Sequence, residues 1–212
     1  MAQKIFFVLV VLLLCVFPLE VFGEISIGVK EGDWVEYDVS TTGSPPTEHD
    51  VVWARMDVIG VVGSDVTVDV TTEVENGTIS NQLMTLKLEE GQIGAWWIIP
   101  ANLGPEDTFY DAFLNSTITI NGQEQLVYAG VERTVTNATV PGRIKRWDKE
   151  TGAFLVSMDD FSDYTIDVIA QKTNLWSSTI LGMASTTFYS ITFIFAVVFI
   201  LVGVLLFKKT RK

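Results

Sequence analysis

Along the middle of the chain, apolar and polar side chains alternate one by one. Val66, Val68, Val70, Thr72 and Val74 interleave with Thr67, Asp69, Thr71, Glu73 and Glu75, the period-two pattern of a strand with one buried and one wet face. Val35, Tyr37 and Val39 alternate with Trp34, Glu36 and Asp38, and Met84, Leu86 and Leu88 with Thr85, Lys87 and Glu89. Turn signals separate these runs: Gly63-Ser64, Asn76-Gly77, Asn121-Gly122 and the polar loop Asp148-Lys149-Glu150-Thr151-Gly152. The best helical start is Gly104-Pro105-Glu106-Asp107, which predicts a turn or short helix within 103–113. The pattern predicts an all-β domain of nine to eleven mostly antiparallel strands. They would form a single sandwich or one strongly curved half-barrel sheet.

The pattern changes at both ends. Residues 5–17 are apolar, follow Lys4 and precede a polar, turn-prone stretch ending at Gly23. That is the layout of a signal peptide over 1–23, with Val21 and Gly23 at the positions that favour small residues. Thirteen apolar residues fall short of the roughly 20 needed to span a bilayer. Residues 188–207 are 20 in a row without charge, followed by Lys208, Lys209, Arg211 and Lys212. Such a stretch covers about 30 Å as a helix, and its basic flank keeps the tail cytoplasmic. Five segments follow: signal peptide 1–23, extracellular β domain 24–178, stalk 179–187, transmembrane helix 188–207 and cytoplasmic tail 208–212. The expected location is the cell membrane, with one span and the N-terminal domain outside. Trp176 falls where an interfacial aromatic would sit.

Charge then narrows the functional classes. The 212 residues carry −12 formally, with 48% hydrophobic residues and a mean hydropathy of +0.34. Residues 24–178 hold 25 acidic and 9 basic side chains, a net −16 that the ends mask. A domain this acidic is unsuited to nucleic acid, which needs clustered cations. Cys15 lies in the signal region, so the β domain is cysteine-free and must be stable without disulfides.

Chemistry-bearing groups are sparse. Three glycosylation sequons begin at Asn76, Asn115 and Asn137, of which Asn76 falls in a hairpin turn. Acidic runs at Glu31/Asp33/Glu36/Asp38 and Asp159/Asp160/Asp163 contain no EF-hand spacing and read as solvated faces. His49 sits in a Pro-rich turn, and no G-x-S-x-G motif accompanies it. Arg143, Lys145, Arg146 and Lys149 cluster four bases within seven residues, suited to ion pairs or an anionic partner. Trp96-Trp97, read as strand positions, would send one indole to the core and leave the other for a ligand or interface contact. No catalytic set, metal site or cofactor motif emerges.

Three phrases taken together, Gly32-Asp33-Trp34-Val35-Glu36-Tyr37, Trp147-Asp148-Lys149-Glu150-Thr151-Gly152 and Thr173-Asn174-Leu175-Trp176, resemble a group of uncharacterised archaeal and bacterial exported β proteins with C-terminal anchors. The resemblance covers most of 28–178 and extends in outline to the curved sheets of lipoprotein carriers. It implies a sheet wrapped round an apolar cavity and supplies no functional residue. The expected function is a non-enzymatic, single-pass cell-surface protein, acting by binding a protein partner or as an envelope component. The alternative is a tethered binder of lipid or another apolar ligand in a concave sheet.

Overall fold

The computed structural model describes residues 25–140, 143–177, 179–180, 183–184, 190–195, 197 and 200. The expected signal peptide and basic tail lie outside these. Of the expected span, the described residues 190–195, 197 and 200 are helical. Among the described residues, no helix is long and apolar enough to cross a membrane.

The described chain is mostly antiparallel β. Four strands form a first meander: β1 (Trp34–Gly43), β2 (Val51–Val62), β3 (Asp65–Val74) and β4 (Ile79–Lys87). A short hairpin follows, β5 (Thr108–Asp111) and β6 (Ser116–Thr119). The second meander is β7 (Gly122–Tyr128), β8 (Val131–Val140), β9 (Arg143–Asp148), β10 (Phe154–Asp160) and β11 (Tyr164–Thr173). Two-residue strands β12 (Thr179–Ile180) and β13 (Met183–Ala184) pair beyond it. The meanders join through β1 and β11 into one nine-stranded sheet, ordered β4-β3-β2-β1-β11-β10-β9-β8-β7.

The alternation seen in the sequence sets the faces. Val35, Tyr37 and Val39 on β1, Met56 and Val58 on β2, and Val66, Val68 and Val70 on β3 all point into one core. Each such side chain contributes roughly 1.5–3 kcal/mol when withdrawn from water. The segment between β4 and β7 covers this face. Its Ile93, Ile98, Ile99, Phe109, Ile118 and Ile120 are buried in the same cluster. Backbone bonds fasten it: Ile99 N–H donates to Gly152 O at 3.0 Å, and Phe154 N–H to Trp97 O at 3.0 Å. The fully buried Trp147 donates its indole N–H to Trp96 O at 2.9 Å and meets Phe109 edge-on at 5.9 Å.

Of the two alternatives for 103–113 the turn forms: Asp107 accepts from Gly104 N–H at 2.7 Å, and Thr108–Asp111 is strand. A Pro-bearing turn followed by the alternating Thr108, Phe109, Tyr110 and Asp111 satisfies the backbone better as a hairpin. Two other local expectations, for Trp96-Trp97 and Trp176, need correcting. Trp96 and Trp97 lie in a turn, with Ala95 at φ 55° and Trp96 at φ 73°. Trp176 belongs to the domain: its indole donates to Tyr128 O at 3.3 Å and Arg133 stacks on it at 4.9 Å.

Asp148 explains the Trp147–Gly152 phrase. Fully buried, it accepts from Arg133 at 2.7 and 3.1 Å and from the Thr151 amide and hydroxyl at 2.9 and 2.8 Å. A buried charge requires such satisfaction. Its hydrogen bonds in turn hold the Arg133 guanidinium above its ordinary pKa.

Candidate functional site

Where the meanders join, the face opposite the core forms an open groove of about 710 Å³. Cross-strand register builds its floor. One row runs Trp53 (β2), Asp38 (β1), Ile169 (β11), Val156 (β10) and Arg146 (β9). The next runs Ser40, Asp167 and Met158, and Ile144 stands two residues before Arg146 on the same face of β9. Ile144, Met158 and Ile169 are exposed, so Ile144, Val156, Met158 and Ile169 make an apolar floor open to water. The sheet curls on this side. Arg146 bridges β8 to reach Glu124 on β7 at 2.5 Å, and the chain leaving β11 crosses to β7 through Trp176.

The groove's charges divide unequally. Arg146 is paired with Glu124, while Arg143 lies 3.6 Å from Asp159, donates to Asp160 O at 2.9 Å and sits over Phe161. Among the described residues, no side-chain hydrogen bond or ion pair engages Asp38, Asp160 or Asp167, and the Oδ1 of Asp167 is buried without a partner. The site therefore presents an apolar floor beside three unengaged carboxylates.

Directly behind it, on the core face, Lys145 is 4% exposed. Its ammonium lies 3.2 Å from Asp159 and 4.4 Å from the Trp96 ring centre. Ser157 also donates to Asp159, at 3.2 Å. Burial pushes the Lys145 pKa below its ordinary 10.5, and Asp159 offsets part of that shift. No nucleophile–base hydrogen bond joins Ser157 and Lys145 among the described residues. This is a buried ion pair capped by aromatic rings, and it braces the groove from below.

The other sequence candidates do not converge here. Trp97 packs edge-on against Tyr37 at 5.4 Å, and Trp96 donates to the buried Asp111 at 2.7 Å, so both half-buried indoles face the core. Asn76 is exposed at the β3–β4 turn, where Thr78 N–H donates to its Oδ1 at 2.9 Å. Asn115 is exposed at φ 49° and accepts from Tyr110 at 2.7 Å, whereas Asn137 is half-buried on β8. His49 shares a 2.6 Å hydrogen bond with the Tyr164 hydroxyl. The acidic runs disperse: Asp33 pairs with Lys30, Glu36 with Arg55 and Lys172, and Asp159 with Lys145. Among the described residues, no three His, Cys, Asp or Glu side chains are placed to hold a metal. Of the basic cluster, Arg143, Lys145 and Arg146 are all ion-paired. Compared with family models, curated proteins and solved structures, the chain matches none.

Proposed function

We propose that the chain is a non-enzymatic, membrane-tethered binding protein of the cell surface, and that the groove receives an apolar, basic segment of a protein partner. The observation that carries this reading is the apolar floor of Ile144, Val156, Met158 and Ile169 beside the unengaged Asp38, Asp160 and Asp167. An aliphatic side chain gains by covering the floor, and a neighbouring Lys or Arg gains by meeting the carboxylates. The net −16 of residues 24–178 speeds the approach of a cationic partner and repels acidic ones.

Tethering rests on the sequence of 188–207 alone. That stretch is 20 residues without charge and is followed by a basic flank, the layout of a single span. Export by the N-terminal segment places the β domain outside and the basic tail inside.

A second reading, a lipid or other apolar ligand, draws on the same floor. The core face is filled by the covering segment, so such a ligand would also use the groove. Photo-crosslinking decides between them, with a benzophenone side chain at Met158 and a control at Val62, which is 81% exposed on a distant hairpin. The expected result is a Met158-dependent protein adduct whose linked peptide pairs aliphatic with Lys or Arg residues. The Asp38→Asn, Asp167→Asn double variant should abolish that adduct. A lipid adduct establishes the second reading, and labelling no greater than at Val62 sinks both.

A further inference from the structure

The groove makes no use of the sequons, and the fold treats the three of them differently. Asn76-Gly77-Thr78 forms the tip of the β3–β4 hairpin, with all three residues exposed and outside the strands. Thr78 N–H donates to Asn76 Oδ1 at 2.9 Å, closing an Asx turn. That bond uses the amide oxygen. Among the described residues, neither Asn76 Nδ2 nor the Thr78 hydroxyl has a hydrogen-bond partner. A Cβ added at Gly77 would meet nothing within 4 Å, so the tip stands clear of the rest of the chain. It also lies at the end of the sheet away from the expected anchor. Glu75 N–H donates to Asp50 O at 2.9 Å in the β1–β2 connection, and that connection begins where Gly43 pairs with Tyr164, the first residue of β11. The chain leaves towards 188–207 from the other end of β11, about 33 Å away at strand rise.

The other two sequons are tied into strands. Asn137 lies within β8, laddered to Gly122 on β7 and Arg146 on β9, and its Nδ2 would be 3.8 Å from a Cβ at Gly122. Thr139, the third residue of that sequon, gives its N–H to Asn121 at 2.8 Å. Asn115 accepts from the Tyr110 hydroxyl at 2.7 Å, and its Thr117 is paired with Tyr110 across the β5–β6 hairpin.

From these differences we propose that Asn76 is the N-glycosylated residue of the β domain, receiving an oligosaccharide from a lipid-phosphate carrier, and that Asn115 and Asn137 stay bare. In the transfer, Asn76 Nδ2 bonds to C1 of the first sugar as the bond from C1 to the phosphate oxygen breaks. The lipid phosphate leaves with the electron pair, and the displaced amide proton passes to solvent. The acceptor pattern requires the Thr78 hydroxyl, which is open to contact here. A glycan at this tip sits wholly in water and displaces no packed side chain. Modification requires the export proposed above, since an exported sequon is the one that meets such a carrier.

The test uses the full chain from the membranes of the cells that make it natively. Trypsin puts the three asparagines in separate peptides, 56–87, 88–133 and 134–143, so mass spectrometry reads the occupancy of each. Peptide 56–87 should carry at least one sugar residue in most copies, with the other two unmodified. Asn76→Gln and Thr78→Ala should each abolish the adduct and Thr78→Ser should keep it, all three melting close to wild type as exposed turn substitutions do. In parallel, a membrane-impermeant amine reagent on intact cells reads export through Lys30 and Lys172, whose side chains are 81% and 74% exposed. Labelled lysines with a bare 56–87 peptide overturn the assignment and leave export standing. Unlabelled lysines with bare peptides overturn both. A glycan on 88–133 or 134–143 at an occupancy equal to or above that of 56–87 overturns the choice of Asn76.

Discussion

Removing the Asp159 carboxylate while keeping its shape, Asp159→Asn, leaves the Lys145 ammonium without an anionic partner inside the fold. Lys145 is 4% exposed, and Asp159 is its sole salt-bridge partner among the described residues. Breaking a buried pair from one side typically costs about 3–5 kcal/mol. The structure also sets a ceiling, because the amine can shed its proton instead of staying charged. From the unfolded value of 10.5, neutralising it costs about 1.4 kcal/mol per pH unit, hence about 5 kcal/mol at pH 7 and about 2 at pH 9. The sign follows from linkage. A base whose folded pKa is lowered binds fewer protons folded than unfolded, so stability rises with pH up to 10.5. Urea unfolding followed by tryptophan fluorescence should show Asp159→Asn destabilised by about 3 kcal/mol or more at pH 7 and by about 2 or less at pH 9. Lys145→Met removes the charge instead and leaves Asp159 with Arg143 at 3.6 Å; it should stay within about 1 kcal/mol of wild type. A pH-independent loss for Asp159→Asn, or an equal loss for Lys145→Met, would refute the reasoning.

Two further outcomes concern the core. Burial pushes the Tyr37 phenol far above its ordinary 10.0, so the folded state keeps a proton that the unfolded state releases. Above pH 10.5, where Lys145 no longer contributes, stability should fall by about 1.4 kcal/mol per pH unit from this group, and Tyr37→Phe should flatten that slope in alkaline urea titrations. Gly152 sits at φ 71°, where an added Cβ would lie 2.0 Å from Ile99 O. Gly152→Ala should therefore cost more than about 3 kcal/mol, against about 1 for Gly63→Ala, at φ 59° with open space around it; thermal unfolding of the pair provides the comparison.

Strand faces were legible in the sequence wherever one side of a strand stayed wet. Val66, Val68 and Val70 are buried as their alternation implies, and Gly63 and Gly77 take the positive φ that their turns require. The segment covering the core was not legible, because it has no period: Ile93 donates to Gly91 two residues back, Ile98 forms an isolated bridge with Ala153, and Ile99 donates to Gly152 in a distant loop. That arrangement also turned Trp96-Trp97 from a strand into a turn. Lys145 reads as one of a surface cluster, yet the alternation of β9 sends it and Trp147 inward while Arg146 faces out. The groove was the least visible feature. Asp38, Met158 and Ile169 each look like ordinary wet-face positions, and they become a site only when β1 pairs with β11.

That pairing also constrains how the chain can be made. Thr42 and Thr165, hydrogen-bonded neighbours in the finished sheet, are 123 residues apart. A ribosome extending the chain at roughly 5–20 residues per second needs about 6–25 s to supply the second after the first. Throughout that interval the inward row of β1 has no β11 beside it. The newborn chain therefore completes this sheet late, and its apolar row stays without that neighbour until β11 has been made.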